Sequence, residues 1–525
     1  MIQHKIKFVL SLFFAAALLG ACKKQWDQRD SIADQRLDVN LMQQIQANSS
    51  LTTFAGYLTK IGYDKVLAAS KTYTVWAPTN AALQNIDPAV VADTARLRVF
   101  VANHIANQTY LASNIQGGQL RVRTLNGKYV TFTPTTVEDA NITVKDQYVK
   151  NGSLNIIDKP LTPKMNISEF VRSLTTVGGL QRDYVNGQDT SYTDTSKATV
   201  SGLDPKTGKP ILVAGTGQVK FNKYFSRVAS LDNEDSTYTY IVLTDAAFQA
   251  ERSKVSKYFT TVTGSVDTTN ALAGFNVLKD VAIRGLVKIN DLPASLLSVN
   301  GVPVPIDKSA IVQTYNASNG IVYVMSSVNF KLADKITPIT IQGEKPSFFE
   351  RPDRGANIIN RLRTDNAGIQ YRDLLVQFTS SSNSEKAFFA AYKLSNLYTC
   401  QYKVYLRAVN DTAYSHIPAP GNISQRIIFG AINGTTTDPT TNVITVTTAV
   451  NYPYQNTPPY NYAEMEQTNA AAGTIAPNAT INVVGGRLNV TARRSINMYL
   501  QGANTATLNQ NNVLVDYIRL EPILQ

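Results

Sequence analysis

Few side chains in this chain of 525 residues carry the chemistry of catalysis, and those few are scattered. Three histidines and two cysteines cannot assemble a zinc-finger array, an iron–sulfur ferredoxin or a disulfide-stapled scaffold. His104 is the imidazole best placed for work as a general base or ligand. No serine, cysteine or carboxylate motif accompanies it, so the preferred role is a histidine packed and hydrogen-bonded beside a helix. Glu464 and Glu466, two residues apart, share one face of a strand and have the spacing of a paired-carboxylate site or of solvated edge charges. The segment Asn451 to Tyr462 holds four tyrosines, Tyr452, Tyr454, Tyr460 and Tyr462, among the stiffening prolines Pro453, Pro458 and Pro459. Phenol rings beside amides suit stacking on, and hydrogen bonding to, a saccharide or a peptide. These four are the candidate ligand-binding residues, and packing of the rings on their own domain is the competing role. Cys400 ends the apolar stretch Leu397-Tyr398-Thr399-Cys400 and reads as a small buried hydrophobe. There is no Walker loop, no dinucleotide fingerprint in context, no zinc-protease helix, no nucleophile elbow and no calcium loop. No catalytic residue, metal or cofactor is therefore assigned, and the chain reads as a non-enzyme.

The second cysteine has a different context. Lys5 and Lys7 precede an uncharged apolar run from Phe8 to Leu19, too short to cross a bilayer as a permanent helix. Leu19-Gly20-Ala21-Cys22 follows, and it resembles a bacterial lipobox. That resemblance implies cleavage of residues 1–21, acylation of Cys22 and an anchor of several acyl chains, more than the two signals stable attachment needs. Lys23 rather than aspartate follows the cysteine, which implies the outer membrane and a protein exposed at the cell surface. Residues 22–37 then form the acylated cysteine and a polar tether. Losing Lys5 and Lys7 lowers the formal net charge from +12 to +10. That charge is spread thinly, without the basic run of a nucleic-acid groove, so nucleic acid is excluded as a partner.

An internal repeat organises the middle of the chain. Tyr73-Thr74-Val75-Trp76-Ala77-Pro78-Thr79-Asn80-Ala81-Ala82-Leu83 recurs as Tyr238-Thr239-Tyr240-Ile241-Val242-Leu243-Thr244-Asp245-Ala246-Ala247-Phe248. Asn151-Gly152 with its following strand recurs as Asn319-Gly320 at nearly the same offset. Tyr73 to Trp76 predicts a strand with Trp76 in the core, Pro78 ends it, and Thr79 or Asn80 caps a short helix from Ala81. Asn151-Gly152 predicts a turn feeding a strand with Leu154 and Ile156 on one face. Leu97, Phe100, Val101 and Ile105 lie at helical spacing between Thr94 and Ala106. Aligning Val99 with Val277 sets Ala282 opposite His104. On these motifs the first copy, residues 38–163, resembles a fasciclin-like domain, and the second, residues 164–338, a divergent copy with an insertion near 186–232. Leu243 stands in the second copy where the pattern has proline, and Ser326 where it has aspartate.

After Pro338, short alternating segments such as Tyr402 to Arg407 and Val443 to Val446 are separated by Gly, Asn, Pro and Thr clusters, the pattern of an antiparallel sandwich. The ending Asn512 to Pro522 is similar to the last strand of galactose-binding-like jelly rolls. The expected fold class is therefore α+β for two fasciclin-like domains, followed by an all-β sandwich over residues 339–525. The arrangement resembles accessory lipoproteins of SusC/SusD-type outer-membrane transporters. It implies a non-catalytic lipoprotein that captures or presents a glycan or peptide within such an uptake complex. The alternative is a structural cell-adhesion lipoprotein acting through its fasciclin-like domains.

Overall fold

A computed structural model describes residues 35–349, 357–364, 368–377, 389–408, 425–429, 464–466, 471–472, 481–484, 487–493, 495–502 and 512–525. The chain packs as two compact units. Of the described residues, the first comprises those up to Phe170, Ser230–Tyr238 and Tyr315–Val322, and the second those of Val171–Ala229, Thr239–Thr314 and Tyr323 onward.

In the first unit seven strands form one sheet. They are β1 (Tyr73–Pro78), β2 (Ile105–Ala106), β3 (Leu120–Arg123), β4 (Tyr129–Phe132), β5 (Thr136–Val137), β6 (Ala140–Val149) and β7 (Gly152–Ile157), in the spatial order β2-β1-β7-β6-β5-β4-β3. β1 and β7 are parallel and adjacent, and both are buried along their whole length. Alternation along each strand therefore sorts side chains between two cores. Val75, Ala77, Leu154 and Ile156 join one cluster with Leu41, Phe54 and Leu97. Trp76 and Ile157 join the other with Val122, Val130 and Phe132. Trp76 is fully buried, edge-on to Phe132 at 5.2 Å, as expected.

Local structure after β1 departs from the expectation. Residues 79–85 form turns rather than a helix. The Thr79 hydroxyl still accepts from the Ala82 N–H, but the Asn80 side chain turns away to the Thr53 N–H and the Ser49 carbonyl. Pro88 opens the next helix and disfavours helical backbone at Asp87, so the turn at Ala81 is not extended into it. The helix Thr94–Ala102 forms as predicted and buries Leu97, Phe100 and Val101, whereas Ile105 lies in β2, paired with Val75.

The first unit reaches beyond residue 163 because the β3–β4 hairpin is bonded to the segment Ser230–Tyr238. Arg121 donates to the carbonyls of Glu234 and Ser318, Arg123 pairs with Asp235 at 3.2 Å, and the Tyr129 hydroxyl donates to the same carboxylate. Lys128 joins Glu169 and Glu234.

A four-stranded sheet places Tyr238–Leu243 between Ala282–Arg284 and Gly320–Met325. Its hydrogen bonds repeat those of the first unit. The Trp76 N–H donates to the His104 carbonyl, and the Ile241 N–H to that of Val281. The Thr74 hydroxyl bridges the Gln108 carbonyl and the Tyr110 N–H, as the Thr239 hydroxyl bridges Gly285 and Val287. The residue opposite His104 is thus Val281 and not Ala282. The alignment slips by one because helix spacing, used to set it, does not register the turn between helix and strand.

Toward the C terminus, Gln401–Arg407 alternates as predicted, burying Tyr402, Val404 and Leu406. It lies between Tyr517–Pro522 and Arg487–Val490 in an antiparallel sheet. A second sheet places Ile496–Gly502 between Phe389–Leu394 and Gln425–Phe429, and a third pairs Gln370–Val376 with Ile358–Thr364 and Val513–Val515. Buried residues of all three form one hydrophobic cluster. Val443 to Val446 lies outside the described residues.

Candidate functional site

Two short helices meet at Asp93, which ends Pro88–Ala92 and caps Thr94–Ala102. Its carboxylate accepts from the N–H groups of Arg96 and Ala95, and these bonds hold it below the usual carboxylate range. Asp87 caps the preceding helix in the same way, accepting from the Ala89 N–H at 2.9 Å. The bend fixed by these caps turns Val90 and Val99 toward the chain that leaves β7 at Asp158. Between them lies an open cleft of about 920 Å³. Its walls are Ile86, Val90, Val99, Phe100, Pro160 and Pro163, and its rim carries Asp87, Arg96, Asp158 and Lys159. Val99 is 49% exposed although Phe100 and Val101, which follow it, are core. Thr162 is the single hydroxyl in the lining, which holds no thiol and no imidazole.

The wall formed by residues 158–163 is held by two consecutive side chains. The Asn103 amide donates to the Leu161 carbonyl at 3.0 Å. His104 Nε2 accepts from the Leu161 N–H at 2.9 Å, which leaves Nδ1 carrying the proton and donating to the Phe100 carbonyl at 2.9 Å. The ring is fully buried between Phe100 and Phe54, and burial pushes its pKa down to about 4. A neutral imidazole with both nitrogens bonded to backbone and no access to solvent positions a wall. It does not reach a substrate. Where the same wall begins, the Asn141 side chain and N–H hold the Asp158 pKa low, so the carboxylate stays ionised at the rim.

Cys22, Tyr452, Tyr454, Tyr460 and Tyr462 lie outside the described residues. Glu464 and Glu466 fall on a strand paired with Gln401–Arg407, in register with Arg407 and Tyr405. Cys400 is a free thiol, half-buried against the C-terminal core, and burial raises its pKa to about 11. It is therefore protonated and unreactive at neutral pH. Among the described residues no three His, Cys, Asp or Glu side chains come close enough to hold a metal ion. Sequence reasoning missed the cleft. The signal was Val99, an apolar residue off the buried face of its helix, together with the two prolines of Lys159-Pro160-Leu161-Thr162-Pro163.

A fasciclin domain model matches residues 49–163, the segment that builds this cleft. The chain is 23% identical over 295 residues to the transforming growth factor-beta-induced protein ig-h3 of Oryctolagus cuniculus. That alignment covers 55% of this chain and 37% of the relative, so the chain spans little more than a third of the relative's length. Among solved structures it is similar to a fasciclin domain pair from the insect cell adhesion molecule Fasciclin I. The identity there is 14%, the coverage 55% of this chain and 99% of that one, and the TM-score 0.22. A Podospora anserina β-(1,4)-mannanase with a carbohydrate-binding module gives 13% identity, coverage of 36% and 28%, and a TM-score of 0.17. Both scores are too low to carry more than the likeness itself. Residues 49–163 form a fasciclin domain.

Proposed function

We propose that this chain is a non-catalytic binding protein, anchored in the outer membrane through acylated Cys22, whose fasciclin domain captures or presents a peptide at the cell surface. The cleft between Val99 and Pro160 is the observation that supports this reading. Its walls are aliphatic and proline side chains with the nearly buried Phe100, which favour an apolar peptide side chain over a sugar ring. Arg96, Asp87 and Lys159 stand at the rim, where they can meet peptide charges without being desolvated. In this reading residues 164–338 are a divergent second fasciclin-like domain, and residues 339–525 a galactose-binding-like sandwich. The sandwich adds a glycan or peptide contact through Tyr452, Tyr454, Tyr460 and Tyr462. The working context is a SusC/SusD-type uptake complex. The second reading, a structural adhesion lipoprotein, rests on the fasciclin domain and uses the same cleft against a neighbouring surface.

The test is a peptide library screened against the full chain carrying Cys22→Ser, which should fractionate as soluble protein where the acylated chain sediments with outer membrane. Val99→Asp places a charge on an exposed wall residue and should weaken every selected peptide at least tenfold. The melting temperature should stay unchanged, because Val99 is half in solvent. Selected peptides that ignore Val99→Asp but lose affinity when the four tyrosines become alanine would move the site to residues 339–525. Clumping of cells bearing the anchored protein, abolished by Val99→Asp without any selected peptide, would favour adhesion.

A further inference from the structure

The insertion in the second copy of the repeat builds a feature with no core of its own. β8 (Asp189–Thr193) pairs with β11 (Gln218–Asn222), and β9 (Val200–Leu203) pairs with β10 (Pro210–Leu212). Bonds from the Asp194 N–H to the Gly217 carbonyl and from the Val213 N–H to the Thr199 carbonyl join the two pairs into one ribbon. Each strand has one partner, and most side chains on both faces are exposed. A two-stranded ribbon of this kind has little stability of its own in water.

Its large apolar side chains stand in solvent among threonines, lysines and aspartates. Leu203 is 65% exposed, Val200 51% and Ile211 46%, and Tyr192 and Phe221 stand edge-on to each other in solvent nearer the base. The register sets Leu203 opposite Pro210 on one face, and Gly202 opposite Ile211, with Val200, on the other. The distal ribbon is therefore apolar on both faces. A protein partner covers one face of a sheet; a lipid interface surrounds both.

The ribbon's net charge is weakly positive, four lysines against three aspartates. Asp204 is turned into the tip, where it accepts from the N–H groups of Lys206 and Thr207. Asp194 is occupied by Ser196 and Lys197, and Asp189 by Arg172 and Asn222. Lys206 and Lys209 have no ion pair among the described residues and flank the apolar tip, and Lys220 stands nearer the base. We infer that this ribbon, residues 189–222, is a membrane-contact arm that inserts Leu203 and Ile211 into the headgroup boundary of an anionic bilayer while Lys206 and Lys209 engage its phosphates. Apolar burial with electrostatic attraction is the pairing by which interfacial segments hold to lipid.

The experiment uses the full chain with Cys22→Ser, so that no acyl chain contributes. Leu203→Cys then supplies the accessible thiol for an environment-sensitive nitrobenzoxadiazole label, Cys400 being half-buried with a raised pKa. Vesicles of phosphatidylcholine and phosphatidylglycerol in a three-to-one ratio should raise the label's emission severalfold and shift it to the blue, and pure phosphatidylcholine should not. Each lysine at an anionic surface contributes roughly fivefold in partitioning, so Lys206→Glu with Lys209→Glu should reduce vesicle binding by about 20-fold or more. Ile211→Asp should reduce it without moving the melting temperature. A label blind to anionic vesicles, or charge-reversed protein that binds them equally well, overturns the inference. So does a label at residue 203 that responds to a purified partner protein and not to lipid. None of these results depends on whether the cleft takes a peptide.

Discussion

Gly152→Ala should unfold the first unit, and Gly320→Ala should do the same to its counterpart in the second half of the repeat. A Cβ on Gly152 would sit 1.9 Å from the Tyr73 carbonyl oxygen and 3.0 Å from a Leu41 methyl. On Gly320 it would sit 1.9 Å from the Tyr238 oxygen and 3.0 Å from Ile167. Both glycines adopt φ near +150°, which side-chain-bearing residues rarely reach. The carbonyls cannot retreat, because β1 and β7 are paired in parallel from Tyr73 and Gly152 onward. The asparagine before each glycine pins the same corner. Asn151 accepts from the Leu41 N–H and donates to the Leu67 and Ala69 carbonyls; Asn319 accepts from Ile167 and donates to Leu231 and Asn233. The expected loss for Gly152→Ala exceeds about 4 kcal/mol, a large share of the roughly 5–15 kcal/mol that holds a domain folded. Gly127→Ala is the control. Gly127 also has positive φ, but nothing lies within 4 Å of its Cβ position, so it should lose only about 1–2 kcal/mol. Trp76 emission and protease resistance of residues 38–163 report the outcome. A Gly152→Ala protein within 1 kcal/mol of wild type would show that the corner relaxes.

Much of this corner was legible in the sequence, because asparagine followed by glycine is a chemical demand that survives divergence. Tyr73 and Tyr238 open equivalent strands, and Asn151 and Asn319 close equivalent corners. Trp76 in the core followed from a large aromatic ring on a β-type run. The failures share a cause. The helix expected from Ala81 and the strand position of Ile105 depend on where turns fall, and turns are set by tertiary bonds such as Asn80 to Thr53 and Ile105 to Val75. The cleft was invisible because it belongs to the bend at Asp93 and to a wall held by residues 57 and 58 positions away in the chain. The ribbon was seen only as an insertion; its two apolar faces required the register.

Acidification should loosen the fasciclin domain between pH 6.5 and 4 through His104. Unfolded, the imidazole binds its proton near pH 6.5. Folded, it resists to about pH 4, because burial among Phe54, Phe100 and Leu161 penalises the charged form more than the Phe100 carbonyl favours it. Among the described residues no carboxylate or other charged group faces the ring. In that window the unfolded state holds more protons than the native one, so stability falls as pH falls. It is fully present above pH 6.5, declines by about 1.4 kcal/mol per pH unit, and reaches a loss of roughly 3 kcal/mol near pH 4. Below that, carboxylates held low in the native state, Asp93 and Asp158 among them, continue the loss in the same direction. His104→Gln removes the titrating group and should flatten the slope between pH 6.5 and 4.5, whatever it costs at neutral pH. Trp76, whose N–H donates to the His104 carbonyl, supplies a local probe once Trp26→Phe removes the other indole. Protonation places an Nε2–H against the Leu161 N–H, so the first structure to move is the 158–163 wall of the cleft. Peptide affinity should therefore weaken across the same window in the wild type and stay level in His104→Gln. Parallel pH profiles in the two proteins would mean that the wall is held by Asn103 alone.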